Sequence, residues 1–514
     1  MSYTRRFSTA FPRGCLIRFY ATLAAPQSYV KPFDALPGPS QYLTIRSSLR
    51  VLWQSRKRPL GKELLSQQFS DVGKYGRIYK RKFPTVNIVD IADPSAAREV
   101  LGIETLGPKF DSPVLEYCKA KGNAWKSSFF ANGPDWDKYR ESIKSQVTRP
   151  RELAEYIPTF NQISDELLER LNSLRTPKGR NYEYEVVNLE EELIKWSFET
   201  ATYAMFNQRF GYMEKRGHTD AQVFISSLRG FWEALMPLTL LPPWVFKLYK
   251  SQSYWKLLHS FDTMYRCGDL FIGKKLHELK RQGNSKARDH SDLFGLLLAS
   301  GELIEDDLVA SVVEFLFTGV DAVSNTMLWA LYMMGENPDK QYKLHHEVTS
   351  VLGPDEALSD AALKRMPYLR AWLNETLRLY PAFPTLTRKL PRDLGLLGYT
   401  VPSGSTVRIL SYFMGRDETV FSDAYQFKPE RWIRNDFSSG PRDILEVASA
   451  PFGLGSVMCE ARRIAELELS LLIAKTVQRF IVTYPHHEKI EPCARGVTSP
   501  DRPVRLKLLD RPCK

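Results

Sequence analysis

The stretch Pro451-Phe452-Gly453-Leu454-Gly455-Ser456-Val457-Met458-Cys459-Glu460-Ala461-Arg462-Arg463 carries one cysteine out of a glycine-bearing loop into a helix that the apolar spacing predicts from about Cys459 to Phe480. Gly453 and Gly455 let backbone approach a bulky ligand. A helix N-terminus offers unpaired N–H groups and the positive end of a dipole, and both favour thiolate over thiol. These residues describe an anionic sulfur ligand. One cysteine alone holds neither zinc nor an iron–sulfur cluster, so its natural companion is a macrocycle that already fills four positions on iron. A buried cysteine acting as a small hydrophobe at a helix cap is the bland reading of the same residues.

The rest of the chain supplies a large body for such a site. Its 514 residues, 43% hydrophobic and 12% aromatic, exclude intrinsic disorder and a small disulfide-stapled scaffold. No Gly/Ser-rich or acidic linker divides it, so one large domain over residues 34–514 is expected. Six cysteines lie scattered without a CxxC pair, which argues against structural zinc and fits a reducing compartment. Arg81 to Ile91 has the β-branched content of a hairpin, and Asp93-Pro94-Ser95 reads as the cap of a following helix. Helical periodicity dominates from about Trp136 to Asn374, with segments such as Asn161–Leu174 and Leu189–Phe206; strand and turn signals return at Leu394–Ile409. The expected class is mainly α with a minor β region.

The charge is uneven. There are 71 basic and 59 acidic residues, a net +12, and residues 1–33 hold Arg5, Arg6, Arg13, Arg18 and Lys31 with no Asp or Glu. That is the composition of a mitochondrial presequence, and Arg18-Phe19-Tyr20-Ala21 resembles a processing site cut after Tyr20. Removal of the four arginines leaves +8, a balance suited to an acidic partner or an anionic membrane face. No Lys/Arg run is interleaved with aromatics, so no nucleic acid is expected. No stretch approaches the roughly 18 uninterrupted apolar residues that span a bilayer.

Three further segments make the chain resemble a cytochrome P450 of the animal mitochondrial type that includes the steroid hydroxylases. Leu373-Asn374-Glu375-Thr376-Leu377-Arg378 is similar to the Glu-x-x-Arg helix of that family, and Lys428-Pro429-Glu430-Arg431-Trp432 to its Pro-Glu-Arg segment. Alone, an i,i+3 acid–base pair is an ordinary helix face; in this order the resemblance implies a buried triad of Glu375, Arg378 and Arg431 that holds the cysteine loop. Trp136-Asp137-Lys138-Tyr139-Arg140 puts an indole N–H and a guanidinium on one helix face, and both can donate to a haem propionate. The resemblance implies haem b with Cys459 as its axial thiolate. It implies the same propionate role for Arg388 and contact from Phe452, Gly453 and Gly455.

The distal helix is expected over Leu308–Met334. Its centre, Thr318-Gly319-Val320-Asp321-Ala322-Val323-Ser324, is similar to a family pattern in which an acid and the following alcohol deliver protons to dioxygen. Asp321 is present, but Ala322 stands in place of the alcohol. Ser324 lies about 200° round the helix from position 322, whereas Thr318, one turn earlier, shares its face, so Thr318 or an ordered water takes over in part. Val457 replaces an Arg that commonly binds a propionate, and Ala461 replaces a Gly. Arg370, Arg462 and Arg463 match positions where mitochondrial members dock an acidic [2Fe–2S] ferredoxin fed by an NADPH-dependent reductase, although Asn374 stands where a docking Lys is usual. Leu235–Tyr249 corresponds to a substrate-access region that dips into the inner mitochondrial membrane from the matrix side. The implied activity is hydroxylation of a lipophilic, sterol- or steroid-like substrate with dioxygen. Ala322 keeps open a haem-binding protein with degenerate chemistry, or with isomerase or peroxide-type chemistry that needs no electrons.

Overall fold

Period-2 burial in a few short strands and long helical stretches divide the chain into a small β part and a large α part. The computed structural model describes residues 30–39, 60–82, 87–103, 114, 117, 136, 140, 150–177, 179, 183–213, 219–239, 249–282, 292–301, 303, 305–353, 358–433 and 442–512. Positions 1–29 of the expected presequence, Tyr20 among them, and residues 240–248 of the expected access segment lie outside these.

Helix α1 (Leu60–Tyr75) leads into the hairpin strands β1 (Ile78–Lys82) and β2 (Asn87–Ile91), and α2 (Pro94–Leu101) follows. The expected cap is present: the Asp93 carboxylate accepts from the Ser95 and Ala96 amides at 3.0 Å, with Pro94 at the first helical position. Then come α3 (Pro150–Leu174), the short strand β3 (Glu185–Val186), α4 (Leu189–Phe206), α5 (Thr219–Thr239), α6 (Gln252–Gln282), α7 (Leu293–Ser300) and α8 (Glu305–Glu336). The chain continues through α9 (Pro338–Val351), α10 (Pro367–Leu379), β4 (Leu386–Lys389), β5 (Leu394–Leu396), β6 (Tyr399–Val401) and β7 (Thr406–Ile409). It closes with α11 (Arg442–Ser449), α12 (Arg462–Arg479), β8 (Phe480–Thr483), β9 (Pro492–Arg495), β10 (Val497–Pro500) and β11 (Leu506–Asp510).

The hairpin joins a four-stranded sheet in the order β1-β2-β7-β4, with β2 and β7 parallel and the other pairs antiparallel. Its register sets Arg388 opposite Val407. Val89, Ile91, Val407 and Ile409 make the core beneath it. The larger core is helical. α8 is buried along most of its length and packs against α4, α6, α10 and α12, which is why its sequence is apolar nearly all round rather than on one stripe. Trp196, Trp329 and Trp372 are fully enclosed there. Among the described residues no helix is long and apolar enough to cross a membrane. A mainly α fold with a minor β part is what is observed.

One boundary differs from expectation. The last long helix begins at Arg462, not Cys459, because the loop ahead of it is a short 3-10 turn at Gly455–Val457. Gly455 has φ of +72°, and a Cβ there would sit 2.2 Å from the Leu101 carbonyl oxygen, so the loop is pinned against the end of α2 and cannot wind on as α-helix.

Candidate functional site

Cys459 is held by backbone. Its N–H donates to the Phe452 carbonyl at 2.8 Å, and the Gly453 N–H donates to Ala450 at 2.9 Å, closing the loop at both ends. Gly453 also has φ of +72°. The thiol is walled in by protein yet open to a cavity of about 310 Å³, shared with Phe452, Gly453, Trp136, Arg140 and Arg388. Burial pushes it up to about 11; the Ala461 N–H and the Arg140 and Arg462 charges oppose this, and Glu460 adds to it. The helix-start effect anticipated for this thiol thus reduces to one amide, because the helix begins three residues later.

The cationic side of the cavity has two arginines in different states. Arg140, stacked 5.2 Å over the Trp136 ring, donates to the Met458 carbonyl at 2.7 Å and pairs with Glu460 at 3.0 Å. Arg388 is only 4% exposed; one nitrogen donates to the Thr387 carbonyl at 2.9 Å, and its other terminal nitrogen, Nη2, is buried with no partner among the described residues. Burial and the neighbouring Arg140 charge push its guanidinium down to about 10. A buried, half-satisfied cation facing a cavity that also holds a thiol calls for an anion inside that cavity. A haem, with propionates at its edge and iron at its centre, fits this donor set.

The triad is assembled. On α10, Arg378 donates to both Glu375 carboxylate oxygens at 2.7 and 2.8 Å, and Arg431 donates to Glu375 at 3.0 Å, all three side chains being fully buried. The Lys428 amide and the Trp432 indole complete the carboxylate's partners at 2.8 and 2.9 Å. Burial alone would raise Glu375, but Arg378 and Arg431 hold it below the usual carboxylate range. The remaining guanidinium protons of Arg378 and Arg431 go to carbonyls of Gly415, Ser422, Asp423, Ala424 and Gln426. These bonds fasten residues 415–432 to α10 rather than binding the cysteine loop itself.

On the opposite wall α8 presents a stripe that includes Ser311, Glu314, Phe315, Thr318, Ala322 and Thr326. The anticipated proton-handling set divides. Thr318 faces the cavity, its hydroxyl donating to the Glu314 carbonyl at 2.8 Å. Asp321 and Ser324 open instead on a separate cavity of about 210 Å³ lined by Glu190, Arg229 and Asn325. There burial pushes Asp321 up to about 7, against the Arg229 charge and a 3.1 Å hydrogen bond from Asn325. Arg370, Arg462 and Arg463 come together on a surface groove of about 560 Å³ bordering Phe452 and Trp432, with Arg462 paired to Glu466 at 2.8 Å.

The family pattern described as Cytochrome P450 matches residues 49–508. The chain belongs to the cytochrome P450 family. Among its curated relatives are the human mitochondrial sterol 26-hydroxylase, 29% identical over 90% of this chain and 88% of that protein. Others are the rat mitochondrial 1,25-dihydroxyvitamin D(3) 24-hydroxylase, 26% identical over 93% and 89%, and the bovine mitochondrial cholesterol side-chain cleavage enzyme, 27% identical over 93% and 89%. As a cytochrome P450 it is a haem-thiolate monooxygenase. Two acids in this P450's cavity escaped the sequence reading. Glu468 on α12 accepts from the Thr200 hydroxyl, and burial pushes it up to about 8. Glu314 stands one turn before Thr318, and its i,i+4 spacing was the available signal.

Proposed function

We propose that this P450 hydroxylates a lipophilic, sterol- or steroid-like substrate, using dioxygen and electrons from a mitochondrial [2Fe–2S] ferredoxin. The observation that carries the site reading is the pairing, in one cavity, of Cys459 with the unsatisfied Arg388 guanidinium. Cys459 would ligate the iron, Trp136, Arg140 and Arg388 would hold the propionates, and Gly453 would keep the loop thin where it lines the cavity, whereas Gly455, expected to contact the haem, packs against Leu101 instead. Bound haem supplies the redox chemistry that activates dioxygen for insertion into a C–H bond. The protein's own part is positional. Phe315, Phe383 and Leu386 exclude water and enclose an apolar substrate. The Thr318 hydroxyl, anchored through its proton to its own helix, turns its lone pairs to the cavity and can hold a water for proton transfer. Asp321, with its carboxyl poised near neutrality, exchanges protons with solvent through the Arg229-lined side cavity.

The arginine groove is read as the docking face for the acidic ferredoxin, residues 1–33 as the presequence, and 34–514 as one haem-thiolate domain on the matrix face of the inner membrane. Support comes from the basic N-terminal composition and from relatives whose names place them in mitochondria. A reduced carbon monoxide difference spectrum tests the centre. Wild type gives the thiolate-type band, Cys459→His moves it, and Cys459→Ser abolishes it; an unchanged band in either variant refutes the assignment. Ala322 favours a second reading, electron-independent chemistry. Comparing product yield with ferredoxin, reductase and NADPH against yield with peroxide alone separates the two.

A further inference from the structure

The side chamber of about 210 Å³ shares no lining residue with the cysteine cavity, and its charges do not close on themselves. Arg229 on α5 and Arg495 at the end of β9 stand exposed at its rim, and neither forms an ion pair among the described residues. Arg495 donates to the Asp501 carbonyl at 3.3 Å and to the Cys493 sulfur; Arg229 has no acceptor among the described residues. The acids of the chamber leave these charges uncancelled. Glu233 on α5 is taken by Lys256 of α6 at 2.7 Å. Burial draws Glu190 on α4 and Asp321 on α8 toward their neutral forms, against the Arg229 charge on both and the Arg495 charge on Glu190. A third donor is fixed in the wall. Trp232 is only 5% exposed, stacks on Phe317 at 4.8 Å, and is backed by Gly496, where a Cβ would lie 2.1 Å from its ring, so the indole has no room to turn. Its Nε1–H is buried without an acceptor among the described residues, a cost that stands until something in the chamber accepts from it.

We infer that this chamber is a binding site for a small planar monoanion of nitrate or carboxylate shape, held by the guanidiniums of Arg229 and Arg495 and the indole N–H of Trp232, and that anion binding and ionisation of Asp321 exclude one another. The donor set decides the class of ligand. Guanidinium forks match planar oxyanions, a buried indole N–H asks for an acceptor, and a chamber of this size takes an ion of a few heavy atoms and no larger molecule. Water would satisfy the indole but leave the two rim charges uncompensated. The coupling to Asp321 follows from charge. Protonated, the carboxyl leaves the field of Arg229 to the ligand and has a proton to donate; ionised, it repels the anion and takes that field for itself. Its proton leaves at about 7, so the anion binds fully below that pH and progressively less above it. By linkage the bound anion must hold the proton on Asp321 by the same factor. The groups that face Asp321 in the chamber are Arg229 and Glu233 from α5, Glu190 from α4 and Arg495 from β9. The site stands apart from the hydroxylase reading, since it uses no residue of the cysteine cavity.

The test is a nitrate titration of the haem-loaded protein at fixed ionic strength, read from the indole N–H resonances of tryptophan labelled with nitrogen-15. Reduction under carbon monoxide makes the iron diamagnetic and closes it to added ligand. The chain has 10 tryptophans, and the Trp232 resonance is the one lost in Trp232→Phe. Nitrate, which takes up no proton near neutrality, should move that resonance saturably, with an affinity that falls about tenfold from pH 6 to pH 8. Arg229→Gln should weaken binding about tenfold or more, and Arg229→Lys, which keeps the charge and loses the fork, should fall between. Asp321→Asn should still bind nitrate, with the pH dependence flattened. Absence of a saturable shift in wild type, as for a chamber filled by water alone, overturns the inference, and so does wild-type affinity in Arg229→Gln or a pH dependence that survives Asp321→Asn. Should Asp321→Asn fail to load haem, equal wild-type affinity at the two pH values overturns the coupling. The carbon monoxide band of the same samples judges the hydroxylase reading separately: its loss removes that reading, while the Trp232 resonance still decides the chamber.

Discussion

Replacing Arg388 by Met should move two measurable quantities in opposite directions. In the haem-free protein the guanidinium is buried, bonded on one side only and repelled by Arg140, and its pKa is pushed down from the ordinary arginine range to about 10. At about 1.36 kcal/mol per decade, that depression means the cation costs the folded state roughly 3 kcal/mol. A depressed cationic group destabilises at every pH below its folded value, so the cost is fully present at neutrality. Methionine removes it and loses only the hydrogen bond to Thr387, about 1 kcal/mol. The haem-free variant should therefore unfold in urea with a stability gain of about 1 to 3 kcal/mol. In the loaded protein the sign reverses. A charge-assisted bond to a propionate is worth about 1.5 to 3 kcal/mol, so haem should pass to excess apomyoglobin about 10- to 150-fold faster from the variant. Release at the wild-type rate, or a haem-free variant less stable than wild type, refutes the claim that Arg388 is held ready for an anion.

Glu375→Gln should cost about 3 to 5 kcal/mol in urea unfolding, because Arg378 and Arg431 are left buried without their counter-charge. Since Glu375 is held below its ordinary 4.5, its contribution is present above that pH and is lost as pH falls toward the folded value, so wild-type stability should drop on acidification and the variant's dependence should be flatter; parallel pH profiles refute this. Thr318→Val should lower the ratio of product formed to oxygen consumed; an unchanged ratio removes the hydroxyl from proton delivery and leaves that role to ordered water. Arg462→Glu should raise the ferredoxin concentration needed for half-maximal turnover and weaken the salt dependence of that value, and a saturable ferredoxin acting with wild-type kinetics refutes the groove as docking face.

Local signals were legible wherever a residue acts through its own neighbours in sequence. The Asp93 cap, the Leu189–Phe206 helix and the Glu375–Arg378 pair each announce themselves within a few positions, and each is found as read. What sequence could not supply is direction across the core. α8 is apolar almost all round, so its periodicity does not say which face meets the cavity. Packing against α4, α6 and α12 turns Thr318 and Glu314 to the cavity and Asp321 and Ser324 to the polar side chamber. The late start of α12 was equally hidden, since it depends on Gly455 meeting the carbonyl of Leu101, more than 350 positions earlier in the chain. The triad's carbonyl partners, spread over residues 415–426, carry no signature, because any residue type provides a carbonyl.

These long-range arrangements also explain how the chain can do without an arginine at position 457. Val457 lines the cavity and offers a propionate nothing. Arg140 is close by, but its charge is already shared with Glu460 and the Met458 carbonyl, so it meets an anion partly neutralised. Arg388 has given up only one of its donors and has no counter-charge among the described residues, and the sheet register fixes it on β4 beside Val407. In the proposed haem site the anion-binding load would therefore fall on a strand rather than on the cysteine loop, and Glu460, which engages Arg140, would strengthen that shift. Val457→Arg should then slow haem release in the Arg388→Met background more than in wild type. The two sites supply the same positive charge to one cavity, and coupled sites of that kind depart from additivity.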